Sequence, residues 1–444
     1  MKSRLLIAAA HSGAGKTTLT LGLLRALQNR GTIVQPFKCG PDYLDPQHHL
    51  AAAGKASINL DRYMMSDAHI RRLYRDYGDP ADVCIAEGVM GLFDGADKME
   101  GSSADIARLL QLPVILVLNA KAMAYSAAAI LYGLKNFCQE IQVAGVLFNF
   151  VERESHYRLL LQACEDVGVE ALGYLPTNPA IAIASRHLGL DSSSNERMQA
   201  TIAAAALHIE KYVAIDRLLE VTQVKPAMLA SDAGERQEKN GETELRRAGR
   251  RVLVARDAAF NFIYPANIRA LEQWGSLRYF SPLSDERLPP ADLVYLPGGY
   301  PELHLEQLSA NRTMIGDLQA HYAGGGKILA ECGGMMYLGE QITDETGKAF
   351  PMCGILPLST GIQEKKLSLG YRTLRWGDPG RCIRGHEFHY SRLTDATGYS
   401  DKLEVAGTRG ERLDARIWQH PHLFASYMHL YWGEEPGLID ALFS

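Results

Sequence analysis

The stretch Ala10-His11-Ser12-Gly13-Ala14-Gly15-Lys16-Thr17-Thr18 follows the apolar run Leu5–Ala10 and precedes the helix-like pattern Leu19–Leu27. Strand, glycine-rich loop and helix in that order form an anion site, because loop N–H groups and a helix N-terminus converge on one point. Ser12, Gly13, Ala14, Gly15, Lys16, Thr17 and Thr18 are the candidate phosphate cradle. Lys16 is placed to reach the β- and γ-phosphates, and the Thr17 hydroxyl to bind Mg²⁺. The phosphate-loop pattern asks for glycine where Ala10 stands. The motif implies ATP or GTP and leaves its use open.

Outward from this loop, apolar runs at Leu5–Ala10, Ile33–Phe37, Val83–Ala86, Val114–Leu118 and Val143–Phe148 read as buried parallel strands. Helical patterns such as Ala122–Phe137 and His156–Val167 separate them, and Met198–Val221 reads as a closing helix. The alternation predicts a doubly wound α/β sheet with ligands at the C-terminal strand ends. Functional side chains are therefore expected just after strands. Ile33–Phe37 is followed by Lys38-Cys39-Gly40-Pro41-Asp42-Tyr43-Leu44-Asp45-Pro46. Asp42 and Asp45 there either ligate Mg²⁺, orient a substrate, or only make turns. Val83–Ala86 runs into Glu87-Gly88-Val89-Met90-Gly91-Leu92-Phe93-Asp94-Gly95. An apolar strand ending in an acid is the Walker-B arrangement, which puts Glu87 near the phosphate-loop Mg²⁺. Asp94 is a second acid of that site or a turn former. Asn119 and Asn149 end later strands, where an amide can meet a base or cap a loop.

Residues 1–228 form this first domain, and 229–249, polar and aperiodic, read as a linker. Residues 250–444 open a second α/β unit. Its strands are expected at Val252–Ala255, Leu277–Phe280, Leu293–Leu296 and Lys327–Ala330. The third runs into Pro297-Gly298-Gly299-Tyr300 and the fourth into Glu331-Cys332-Gly333-Gly334 and a helix. Strand, nucleophile, two glycines and helix describe a nucleophile elbow with cysteine in place of serine. The helix N-terminus is expected to lower the Cys332 pKa. N–H groups of Gly333 with Gly298 or Gly299 are the candidate oxyanion hole. The base is sought among His420, His422 and His429, with His386 and His389 as outsiders. In Gly385-His386-Glu387-Phe388-His389-Tyr390, a strand lining a site is preferred over a metal site.

Composition narrows the partners. The chain has 444 residues, 47% hydrophobic and 22% charged, with a formal net charge of −5, which argues against nucleic acid or an anionic membrane surface. Seven cysteines without a CxxC pair point to a reducing, cytoplasmic setting. A signal peptide is not expected, since its removal would destroy the motif, and no apolar run reaches membrane-spanning length. A nucleotide site joined to an activated cysteine suggests glutamine-dependent amidation: a thioester on Cys332 releases ammonia, and a phosphorylated carboxylate receives it. Ammonia is expected to pass between the sites without entering bulk water.

The whole chain resembles the cobyrinate a,c-diamide synthases of the corrinoid pathway, the CbiA/CobB family. The resemblance rests on Phe37–Pro46, Glu87–Gly95, Leu296–Glu302 and Gly385–Ser391. It implies a dethiobiotin synthetase-like first domain and a class I glutamine amidotransferase-like second domain. It also implies ATP with Mg²⁺, L-glutamine, a tetrapyrrole polycarboxylate substrate and, as a candidate assembly, a homodimer. On the same ground Cys332 is the nucleophile and His429 its base, while Asp42, Asp45, Glu87 and Asp94 are acids of the synthetase site. Triad amidotransferases carry a Glu two residues after the histidine. Tyr431 stands there in this chain, so a Cys–His dyad is expected. Hydrogenobyrinate, sirohydrochlorin, nickel-sirohydrochlorin and sirohaem are alternative substrates. A MinD/ParA-like switch ATPase carrying an inactive amidotransferase fold fits less well: such proteins carry a second lysine early in the loop, and none lies between Arg4 and Lys16.

Overall fold

A computed structural model describes residues 2–183, 192–224, 249–363, 367–377, 380–400 and 402–444. The chain divides into two compact units, Met1–Arg236 and Gln237–Ser444. Apart from Gly249, the linker expected at 229–249 lies outside the described residues.

The first unit runs β1 (Lys2–Ala9), α1 (Lys16–Asn29), β2 (Val34–Cys39), α2 (Leu44–Ala53), β3 (Ile58–Leu60), α3 (Asp67–Gly78), β4 (Val83–Glu87) and α4 (Ser103–Leu110). It continues with β5 (Val114–Asn119), α5 (Ala127–Asn136), β6 (Val143–Asn149), α6 (Glu154–Val167), β7 (Ala171–Leu175), α7 (Ser192–Tyr212), α8 (Ile215–Val221) and β8 (Gln223–Val224). The strands order as β3-β2-β4-β1-β5-β6-β7, all parallel, with β8 antiparallel on β1. Every residue of β4 is buried, as expected of a central strand covered by helices on both faces. The chain winds from β1 first toward β2 and later toward β5. The phosphate loop leaves β1 at this switch point, where ligands of doubly wound sheets bind. Helix α7 crosses α1 closely: a Cβ on Gly22 would lie 2.7 Å from Ile209 Cγ1.

Two helix boundaries differ from expectation. Ala122 has a left-handed backbone (φ 56°), which a continuing helix cannot absorb, so α5 begins only at Ala127. The closing helix is split into α7 and α8, because Ala214 N–H leaves the helical pattern to bond Leu172 O on β7 at 2.9 Å.

The second unit contains β9 (Arg251–Ala255), α9 (Pro265–Trp274), β10 (Ser276–Phe280), β11 (Leu293–Leu296), α10 (Leu305–Ala310), α11 (Arg312–Ala323), β12 (Lys327–Glu331) and α12 (Gly333–Leu338). Then come β13 (Gln341–Thr343), β14 (Ala349–Pro351), β15 (Leu358–Gly361), β16 (Ser368–Trp376), β17 (Arg381–His389), β18 (Arg392–Ala396), β19 (Glu404–Ala406) and β20 (Arg412–Leu413). The last elements are β21 (Ile417–His420), β22 (Leu423–Ser426), β23 (His429–Leu430) and α13 (Leu438–Ala441). A six-stranded sheet, β10-β9-β11-β12-β22-β21, is parallel except for its last pair. A five-stranded sheet, β20-β19-β16-β17-β23, and a four-stranded one, β14-β13-β15-β18, complete the unit. Neither was anticipated: the five-stranded sheet is antiparallel, and the four-stranded one is mixed, with β13 parallel to β15. The five-stranded one positions the site, because β23 carries His429 and pairs with β17 through His386 and Gly385.

Candidate functional sites

In the first unit the backbone of the loop makes the cradle. Gly13 and Gly15 are left-handed (φ 79° and 98°), and α1 begins at Lys16 without a side-chain cap. Its N-terminal N–H groups and dipole are thereby turned toward the loop. Ala10 is not among the left-handed residues, so the glycine that the pattern asks for is not needed there. Lys16 Nζ donates to the carbonyls of Met90 and His11, spanning the loop from α1 to the segment after β4. Asn149 braces the loop from the end of β6. Its Nδ2 donates to Ala14 O at 3.0 Å, and its Oδ1 accepts from Phe150 N.

Thr17 Oγ1 donates to Glu87 Oε1 at 2.7 Å, so the phosphate-loop threonine and the acid ending β4 meet. The structure adds two residues to which the sequence reading gave no role. Lys38, the penultimate residue of the fully buried β2, bonds Asp45 and lies 3.0 Å from Glu87 Oε1 and 4.0 Å from Asp42 Oδ2. His49 on α2 donates from Nε2 to Glu87 Oε2 at 2.7 Å, while its Nδ1 meets Ser57 Oγ at 2.9 Å. Burial opposes charge on Lys38, but Asp45, Glu87 and Asp42 outweigh it and raise its pKa. Burial likewise opposes the Glu87 carboxylate, and Lys38, His49 and Thr17 outweigh that and hold it well below the usual range. The result is a buried ionic cluster in which one ammonium is shared among three acids. A lysine in a strand expected to be buried was the available signal for Lys38. His49 gave none, since its partner lies 38 residues on.

Asp42 Oδ1 also accepts from Leu44 N and Asp45 N at 2.9 and 3.1 Å, so it forms the turn into α2 as well. Asp94 is not drawn into the Lys38 cluster. It is exposed and accepts from Gly91 N at 2.9 Å, on a loop that lies against the backbone of Ala9 and Ala10. Among the described residues no group of three or more His, Cys, Asp or Glu is arranged to hold a metal ion by itself.

In the second unit Cys332 follows β12 with φ 45° and ψ −107°, a strained elbow conformation of the kind found where a nucleophile is presented. The elbow is fixed by Cys332 N–H to Ser426 O at 2.8 Å. Gly298 and Gly299 are shared between the nucleophile side and the base side. A Cβ on Gly333 would lie 3.2 Å from Gly299 N, and one on Gly298 would lie 2.1 Å from His429 Cε1. The loop thus sits between the residue after Cys332 and the imidazole of His429. His429 is fully buried, stacked on His386 with centroids 5.1 Å apart and flanked by Phe262. His386 thus lies against His429, and its Nδ1 bonds Tyr264 OH at 3.1 Å. His389 stacks on Tyr427, whereas His420 is exposed at the end of β21.

Burial, with His386 and His389 adding to it, holds His429 well below its usual pKa, so the ring is neutral at pH 7. The expectation for Cys332 is corrected. The Gly333 N–H does favour the thiolate, but burial and the charge of Glu302 outweigh it and push the thiol up. The raised pKa favours the thiol over the thiolate at Cys332.

Residues 5–190 match the CobQ/CobB/MinD/ParA nucleotide binding domain, and residues 251–437 match the CobB/CobQ-like glutamine amidotransferase domain. The cobyrinate a,c-diamide synthase of Listeria innocua is 39% identical over 99% of this chain and 99% of its own. The chain belongs to the a,c-diamide synthase family. The hydrogenobyrinate a,c-diamide synthase of Brucella suis is 39% identical over 96% of this chain and 97% of its own. The cobyrinate enzyme of Salmonella typhimurium is 38% identical over 98% and 96%. This family member is accordingly a ligase that joins a nucleotide-binding domain to a glutamine amidotransferase domain. No helix among its described residues is long and apolar enough to cross a membrane.

Proposed function

We propose that this synthase amidates the a and c acetate carboxylates of cobyrinate or hydrogenobyrinate, using ATP and L-glutamine. The full-length similarity to relatives named for those two substrates carries the reading. Residues 1–228 are the synthetase domain and 250–444 the amidotransferase. Ser12, Gly13, Ala14, Gly15, Lys16, Thr17 and Thr18 hold the triphosphate. The substrate carboxylate attacks the γ-phosphoryl group, ADP leaves, and the acyl phosphate is open to ammonia. Thr17 and Glu87 fit Mg²⁺, because hydroxyl and carboxylate oxygens are its ordinary donors and meet 2.7 Å apart beside Lys16. Asp42, 4.0 Å from the Lys38 ammonium that contacts Glu87, would be a further ligand. The ion, when bound with the nucleotide, would neutralise phosphate charge. Asp45 holds Lys38 charged, and Asp94, exposed on the loop after β4, is the acid assigned to the substrate carboxylate.

In the second unit Cys332 attacks the glutamine amide carbon and passes its proton to neutral His429. The tetrahedral oxyanion is received by N–H groups among Gly298, Gly299 and Gly333. His429 then protonates the departing ammonia, leaving a thioester that water hydrolyses to glutamate. The seven cysteines are unpaired, which suits a reducing, cytoplasmic setting. A homodimer is the assembly to look for by light scattering.

The test offers the enzyme ATP, Mg²⁺, glutamine and each tetrapyrrole in turn, and counts amides by mass. Two additions of −1 Da (OH replaced by NH₂) are expected on cobyrinate or hydrogenobyrinate, and no shift with either defeats the proposal. Cys332→Ser is expected to abolish glutamine use and to spare synthesis with added ammonium.

A further inference from the structure

Glu331 is the last residue of β12 and only 1% exposed. Its carboxyl group is held at both ends. Tyr295 OH donates to Oε2 at 2.7 Å, and Leu430 N–H donates to Oε1 at 2.9 Å. The second bond joins two residues 99 positions apart. Glu331 precedes Cys332 in the chain, and Leu430 follows His429. One side chain thus ties the covalent neighbour of the nucleophile to the covalent neighbour of the base.

The base needs such a tie because its own strand is weak. Strand β23 is two residues long, and among the described residues β17 is its one partner in the sheet. The other face of the same peptide is gripped by α9. Asn267 Nδ2 donates to Leu430 O at 2.8 Å, and Asn267 Oδ1 accepts from Trp432 N at 3.0 Å. Asn267 is 1% exposed. Leu430 is therefore clamped from β12 at its N–H and from α9 at its C=O. The position two residues after His429, where triad enzymes carry an acid, holds Tyr431, whose N–H bonds Arg384 O and whose ring packs edge-on to Tyr264.

We propose that Glu331 is a positioning residue of the glutaminase reaction: by bonding Leu430 N–H it sets the distance and orientation of His429 relative to Cys332. The proposal rests on the assignment of Cys332 as nucleophile and His429 as base. A base displaced by about 1 Å costs on the order of a hundredfold in rate while leaving substrate binding intact.

The test is steady-state glutamine hydrolysis by the full chain, with kcat and KM for glutamine determined separately. Glu331→Ala and Glu331→Leu both remove the acceptor, the second while filling the space. Each is expected to lower kcat about 30- to 100-fold with KM changed less than threefold. Glu331→Gln keeps an oxygen for Leu430 N–H and is expected to stay within fivefold of wild type. If Glu331→Ala fails to fold, Glu331→Leu and Glu331→Gln still decide the matter. The proposal is overturned if kcat is unchanged without the acceptor, if KM rises in step with the loss of rate, or if the glutamine variant is as slow as the leucine one. Cys332→Ser, run alongside, separates the two ideas. Glutamine hydrolysis persisting in that variant sinks the nucleophile assignment itself, whereas its loss beside an unaffected Glu331→Leu sinks only the role of Glu331.

Discussion

Gly298→Ala tests whether the base is held in place by packing. Gly298 is not in a left-handed conformation, so the backbone accepts alanine and the effect is purely steric. The new Cβ would lie 2.1 Å from Cε1 of His429, 3.0 Å from Nδ1 and 3.2 Å from Nε2. Reaching an ordinary contact of 3.4 Å from 2.1 Å requires a shift of about 1.3 Å. The ring has little freedom to yield. It is fully buried, stacked on His386 with Phe262 beside it, and its strand is paired to β17. A displacement of this size in a reacting group is worth about a hundredfold, or roughly 2.7 kcal/mol of activation free energy. Forcing one methyl group into a filled site costs about 1–3 kcal/mol of stability. Glutamine hydrolysis is therefore expected to fall about a hundredfold, with a modest drop in melting temperature and with ammonium-driven synthesis retained. A Gly298→Ala enzyme that hydrolyses glutamine within threefold of wild type would refute the reasoning, because it would show that His429 is not the base or is not confined.

Gly15→Ala combines φ 98° with a Cβ 2.0 Å from Asn149 Nδ2, whereas Gly13→Ala has φ 79° and open space. ATP affinity by calorimetry is expected to fall at least tenfold in the first and less in the second; equal effects would argue against the Asn149 brace. Lys38→Met leaves Asp42, Asp45 and Glu87 without their shared cation and is expected to cost about 3–5 kcal/mol at pH 7. The deficit should narrow as pH falls, because in the variant burial of Glu87 is no longer offset by Lys38 and its carboxyl group takes up a proton more readily than in wild type; chemical unfolding at pH 5 and pH 7 reads the difference. Glu331 is raised by burial to about 8 from 4.5. Below pH 4.5 it is neutral in folded and unfolded chain alike. Between 4.5 and about 8 only the unfolded chain ionises, so this contribution to stability is lost as pH rises through that window and is constant above it. Melting temperatures from pH 5 to pH 9 should decline less in Glu331→Gln than in wild type.

Much of the fold was legible because parallel strands buried on both faces are written as continuous apolar runs. The strands through Val83–Glu87 and Lys327–Glu331 were readable within a residue or so for that reason. The two smaller sheets of the second unit were not. The strand Ser368–Trp376 mixes exposed, half-buried and buried positions, and its order in the sheet depends on partners far away in sequence. The phosphate loop was readable because its geometry comes from local glycines. The thiol pKa was misjudged because a helix N-terminus is a local signal, while the burial that outweighs it is assembled from the whole domain.

The two sites show the same limit in a sharper form. Each is organised by a buried glutamate at the C-terminal end of a central parallel strand, Glu87 on β4 and Glu331 on β12. Glu87 could be read from sequence, since its partner, the Thr17 hydroxyl, belongs to a motif that predicts an acid nearby. Glu331 occupies the equivalent position before a more conspicuous residue, and besides Tyr295 OH its partner is a backbone N–H. Main-chain groups carry no sequence signature, so a carboxyl group that acts on one is invisible until the fold brings them together. The same reasoning explains why Lys38 went without a role while Lys16, only 22 residues earlier in the chain, did not. Lys16 is announced by its loop. Lys38 is defined only by three acids that the fold assembles around it.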